Sequence, residues 1–64
     1  MTKLQNELQN AGIKFNIEGC YLIVGSTWVM YDEYDHVYRA YGDGGILAGE
    51  FKSEATVYSF LKKN

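Results

Sequence analysis

The sequence predicts a small α+β domain: a five-stranded antiparallel meander with N-terminal and C-terminal helices packed on one face, in the order αβββββα. Apolar residues recur at helical spacing near both ends of the chain, and the stretch between them alternates in short runs separated by turn signals. A chain of 64 residues has no room for a second core, since units of this size bury only about 60% of their unfolded surface. Residues 1–64 therefore form one domain.

Leu4, Leu8 and Ala11 share a helical face, Thr2 is a suitable N-cap and Gly12 a suitable C-terminal stop, which predicts a helix from Lys3 to Ala11. Ile13-Lys14-Phe15-Asn16-Ile17 alternates strictly, and Cys20 to Val24 resumes the strand pattern. A two-residue turn at Glu18-Gly19 sets Ile17 opposite Cys20, Phe15 opposite Leu22 and Ile13 opposite Val24. Gly25-Ser26-Thr27 is a polar break. A three-residue loop there places Trp28 opposite Val24 and Met30 opposite Leu22, whereas a two-residue loop turns Trp28 outward. The register that buries tryptophan is preferred.

Asp32 to His36 reads as a type I turn closed by a left-handed residue at Asp35, pairing Met30 with Tyr38 and Trp28 with Ala40. Gly42-Asp43-Gly44-Gly45 is the strongest turn signal and sets Tyr41 opposite Ile46 and Ala40 opposite Leu47. The fifth strand ends near Phe51. Ser53 is a good N-cap for a helix from Glu54 to Lys63, with Val57, Phe60 and Leu61 as its apolar stripe and Lys62 and Lys63 suited to its C-terminal dipole. The helices are expected to cover Phe15, Leu22, Trp28, Met30, Tyr38, Leu47 and Phe51.

On the other face these registers place Lys14, Asn16, Tyr21, Ile23, Val29, Tyr31, Val37, Arg39, Tyr41, Ile46, Ala48 and Glu50. That face is more apolar than one that meets only water. β-branched and aromatic residues are also good strand formers, so propensity alone accounts for part of the pattern. A contact surface accounts for it differently, because tyrosine with arginine is the composition of an interface centre. The expected binding residues are Tyr21, Tyr31, Val37, Arg39 and Tyr41.

Six basic and eight acidic side chains give a formal charge of −2, against an affinity dominated by phosphate contacts. The first residues contain no apolar leader, long apolar runs are missing, and one cysteine cannot form an intrachain disulfide. These features point to a cytoplasmic protein that binds no membrane. A domain this small without disulfides or metal has only about 3–5 kcal/mol of stability, and self-association is a common remedy.

Chemistry finds little support. Cys20, Asp32 and His36 fall in one row across three strands in the inferred registers, yet the carboxylate between thiol and imidazole would raise the thiol pKa. Cys20 is expected to be buried and inert. Asp32, Glu33, Asp35 and His36 match no metal-loop spacing, and the glycine-rich turn leads into a strand, not into a helix that could hold phosphate. No catalytic residues, metal ligands or cofactors are assigned. The reading is a non-enzymatic protein-interaction module that binds a partner or itself, as a homodimer, through the open Tyr/Val-rich face. The rivals are a nucleic-acid-binding sheet with tyrosine stacking platforms, and a small acidic inhibitor, of phage type, that occupies a nucleic-acid enzyme's site.

Overall fold

The computed structural model describes Met1 to Lys63. Helix α1 spans Thr2–Asn10, strands β1 to β5 span Asn16–Glu18, Tyr21–Val24, Thr27–Asp32, Val37–Tyr41 and Leu47–Phe51, and helix α2 spans Glu54–Lys63. The strands form one antiparallel sheet in the order β1-β2-β3-β4-β5, so the αβββββα meander is the observed architecture.

Both helices lie on the same side of the sheet. Leu4 and Leu8 of α1, Val57 and Leu61 of α2, and Leu22, Val29 and Ala40 of the three central strands make one buried cluster. Ile13, Phe15, Val24, Tyr38, Phe51, Tyr58 and Phe60 close its edges. Each fully buried leucine or valine stabilises the fold by roughly 1.5–3 kcal/mol through removal of apolar surface from water. Phe60 lies with its ring centroid 5.1 Å from that of Phe51, so the C-terminal stripe packs as its spacing predicts.

The helix ends follow two different rules. In α2, the Ser53 hydroxyl accepts from the Thr56 backbone N–H at 3.3 Å, the local N-cap expected of serine. In α1 the expected cap fails: Thr2 lies inside the helix, Met1 precedes it without a side-chain cap, and the Leu4 N–H donates instead to Glu54 Oε1 at 2.9 Å. A carboxylate from the first turn of α2 thus satisfies a free donor at the start of α1 and ties the two helices together. At the other end Gly12, at φ +73°, stops α1 as expected, and the Ile13 N–H reaches back to the Leu8 carbonyl at 2.9 Å.

The hairpin registers correct the sequence reading in one consistent way. The first turn is Gly19-Cys20, not Glu18-Gly19, with Glu18 paired to Tyr21 and Ile17 to Leu22. The second is Gly25-Ser26, with Val24 paired to Thr27 and Ile23 to Trp28. Gly19 and Gly25 have φ of +58° and +61° while Cys20 and Ser26 do not enter the left-handed region. That is the type II′ arrangement, which needs glycine at its first central position and matches the twist of the strands. The first correction shifts the pairing by two residues and leaves the faces unchanged. The second shifts it by one and inverts β3: Val29 is buried in the core, whereas Trp28 and Met30, expected inside, take the open face.

The β3–β4 loop absorbs this inversion. It holds four residues, Glu33 to His36, and its left-handed residue is His36 at φ 56°, not Asp35. Tyr31 consequently pairs with Tyr38 on the helix-covered side, their rings 4.7 Å apart, which overturns the placement of Tyr31 and Val29 on the open face. Burial, with Glu54 and Tyr31 nearby, raises the pKa of Tyr38 above its ordinary value. Between β4 and β5 the turn through Asp43–Gly45 puts Gly44 and Gly45 at positive φ and joins Gly42 to Ile46 by a backbone hydrogen bond. A bulge follows. Ala40 faces Gly49, Tyr41 faces Leu47 and Ala48 is left unpaired, so Leu47 is exposed and does not join the core.

Candidate functional site

Neither helix covers the second face of the sheet. Pairing assigns to it Tyr21 and Ile23 of β2, Trp28, Met30 and Asp32 of β3, Val37, Arg39 and Tyr41 of β4, and Glu50 of β5. Two sub-sites divide it.

The first is aromatic. Trp28 sits directly opposite Tyr41 and beside Tyr21, whose ring meets the indole edge-to-face at a centroid distance of 5.3 Å. Beneath them Ile23, only 9% exposed, is buried away from the helix-covered core, while Trp28 itself remains 38% exposed. Tyr21, Ser26, Trp28 and Tyr41, with the turn Gly42 to Gly45, line a recess of about 590 Å³ open to solvent. Three aromatic residues and three glycines are among its eight lining residues. Among the described residues, neither the Trp28 indole N–H nor the Tyr21 and Tyr41 hydroxyls have a protein hydrogen-bond partner. The recess therefore combines apolar rings with free donors, the composition of a recognition surface.

The second sub-site is ionic. Arg39 Nε donates to Glu50 at 3.0 Å, Nη2 donates to Asp35 at 2.6 Å, and Nη1 donates to Asp32. Asp35, Glu50 and Asp32 together hold the guanidinium firmly protonated. Asp32 also accepts the backbone N–H groups of Tyr34 at 2.8 Å and Asp35 at 3.2 Å, closing the β3–β4 loop. The Asp35 N–H, then Arg39, then the Tyr34 N–H hold its carboxyl below the ordinary range. One cation against three carboxylates leaves this node with an excess of two negative charges.

The five expected binding residues do not stay together. Tyr21, Val37, Arg39 and Tyr41 lie on the open face, and Tyr31 lies behind it, its hydroxyl 3.3 Å from His36 Nδ1. Arg39 is engaged within the protein, each of its three nitrogens donating to a carboxylate. Trp28 is the residue the strand pattern assigned to the wrong side, and the Gly25-Ser26 dipeptide was the signal that could have found it.

The constellation of Cys20, Asp32 and His36 does not assemble, because Cys20 lies exposed in the first turn and Asp32 pairs with Val37. Among the described residues no group of three histidine, cysteine or acidic side chains is arranged to hold a metal ion. No helix among them is long and apolar enough to cross a membrane. Comparison with protein-family models, with curated proteins and with solved structures gives no match.

Proposed function

We propose that this protein is a small non-enzymatic interaction module that docks another protein through the open face of its sheet, with Tyr21, Trp28 and Tyr41 as the contact centre. The carrying observation is the position of the single tryptophan, on the uncovered face between two tyrosines, lining a recess together with the glycine-rich turn Gly42 to Gly45. Tryptophan and tyrosine dominate the energetic centres of protein interfaces, where they give large contact area at low entropic cost. Self-association through the same face is the alternative use of these residues, and it is the one a small core would favour.

Stacking of nucleobases on these rings has weaker support. Phosphate-driven binding needs free cations, and Arg39 on this face is already held by Asp32, Asp35 and Glu50.

The double variant Trp28→Ala/Tyr41→Ala tests the reading, since it removes the contact centre and leaves the helix-covered cluster intact. It should keep the wild-type circular-dichroism spectrum while losing the partner that wild type captures from its native host and binds after purification. Sedimentation of wild type at high concentration separates a homodimer from a module for a different chain. A folded double variant that binds the purified partner as tightly as wild type, with wild type monomeric, would exclude the open face as the docking surface.

A further inference from the structure

The chemistry of the aromatic recess also constrains what fills it. We infer that its occupant is a proline-rich segment in the polyproline II conformation, flanked by basic residues, carried by the partner protein. This rests on the docking reading above and goes further by naming the partner's chemistry.

The recess lies on the face of the sheet, not along an edge. The backbone N–H and C=O groups of β2, β3 and β4 beneath it are committed to the pairings Ile23–Trp28 and Trp28–Tyr41 and their neighbours. A peptide docked there gains no strand-to-strand hydrogen bonds. An ordinary peptide pressed onto the rings would desolvate those of its N–H groups that face ring carbon, which is costly. Proline has no N–H to leave unpaired, and polyproline II is an extended form with no internal hydrogen bonds to break. Its exposed carbonyls need donors, and among the described residues the Trp28 indole N–H and the two tyrosine hydroxyls lining the recess are donors without protein partners. Aromatic-lined grooves are a recurring solution for this ligand.

Charge complements the shape at both ends. Asp43 stands on the turn that walls the recess on one side. On the other side, Arg39 is the next residue of β4 on the same face as Tyr41, about 7 Å along the strand, and brings the doubly negative node of Asp32, Asp35 and Glu50. At about 3.1 Å per residue, a basic side chain two or three positions beyond the docked prolines reaches that node. Arginine or lysine at each end of the proline run is therefore the fitting flank.

Trp28 is the only tryptophan, so its emission reports occupancy directly. The probe is a synthetic nonaproline peptide with two arginines at each end, titrated against the full chain, with the backbone amide shifts of Trp28, Tyr41 and Gly44 as a second readout. Three comparison ligands are a glycine-serine peptide of the same length and charge, an oligothymidylate and cellohexaose. The expected result is a saturable change with the proline peptide, at least about tenfold weaker binding of the glycine-serine peptide, and loss of the response in Tyr41→Ala. Asp43→Asn should weaken the proline peptide roughly two- to fivefold at low salt, with the difference fading at high salt.

No saturable change with the proline peptide overturns the inference, as does equal binding of the glycine-serine peptide. So does tighter binding of the oligothymidylate or the sugar. If the proline peptide is inert while Trp28→Ala/Tyr41→Ala still abolishes binding of the host partner, the polyproline assignment falls and the docking reading survives. If the double variant also binds that partner normally, both fall.

Discussion

The two faces of this sheet are built from different materials. The helix-covered face is aliphatic at its centre and closed, with Leu22, Val29 and Ala40 sealed under Leu4, Leu8, Val57 and Leu61 and aromatic rings only around the edge. The open face is aromatic at one end and ionic at the other, and among the described residues Ile23 is its one buried apolar side chain. Small branched side chains fill space between layers, while rings and ion pairs hold shape at a boundary with water. The difference teaches that the aliphatic packing that closes the fold sits on one side of a single layer, and on the docking reading proposed above the contact centre sits on the other, so a substitution at Trp28 or Tyr41 should spare the helix-covered cluster.

The largest effect should come from the closed face. Leu61→Ala removes a buried side chain and should cost about 2–5 kcal/mol in urea or thermal unfolding. That is comparable to the whole stability of a domain this small, so the variant should be mostly unfolded at room temperature. A melting temperature close to wild type would show that the division between faces is wrong.

A subtler strain on the same side lies at Gly49. A Cβ built there would stand 2.8 Å from the tip of the Phe51 ring, which lies over the glycine and against Phe60. Gly49→Ala should destabilise by roughly 1–3 kcal/mol through overpacking, with perturbed Phe51 and Phe60 resonances. The double variant Gly49→Ala/Phe51→Leu, which removes the obstructing ring, should show much of that penalty relieved when measured against Phe51→Leu alone.

On the open face the expected stability effect depends on pH. The carboxyl of Asp32 has its pKa lowered by the Asp35 N–H, by Arg39 and by the Tyr34 N–H, so its contribution is fully present above the ordinary carboxylate pKa of about 3.9. It is lost as pH falls through the lowered folded-state value. The urea midpoint of wild type should therefore drop more steeply than that of Asp32→Asn as pH is taken from about 5 to about 2. Parallel curves would show that the Arg39 node does not couple the β3–β4 loop to folding.

Cys20 should show no stability effect at all. It lies exposed in the Gly19-Cys20 turn, so Cys20→Ser should leave the melting temperature within about 1 °C of wild type. Thiol labelling should run nearly as fast in native buffer as in denaturant. Slow native labelling would restore the buried register that the structure replaces.

Much of this molecule was legible in its residues. The order of elements, the α2 cap at Ser53, the stop at Gly12, the stripe of Val57 and Leu61, and the faces of β2 and β4 all follow from spacing, because period and local turn chemistry act over a few residues. The sequence could not decide between Trp28 and Val29 for the core by hydrophobicity, since both are apolar and adjacent, and a one-residue slip exchanges them. Nor could local rules supply the Glu54 carboxylate at the start of α1, fifty residues away in the chain. The partners of Arg39 were equally hidden, because Asp32, Asp35 and Glu50 converge only once β3, β4 and β5 are in register. Tertiary structure decided these points because burial and ion pairing depend on which surfaces meet, and the recess at Trp28 exists only where a type II′ turn, a cross-strand tyrosine and a glycine loop are brought side by side.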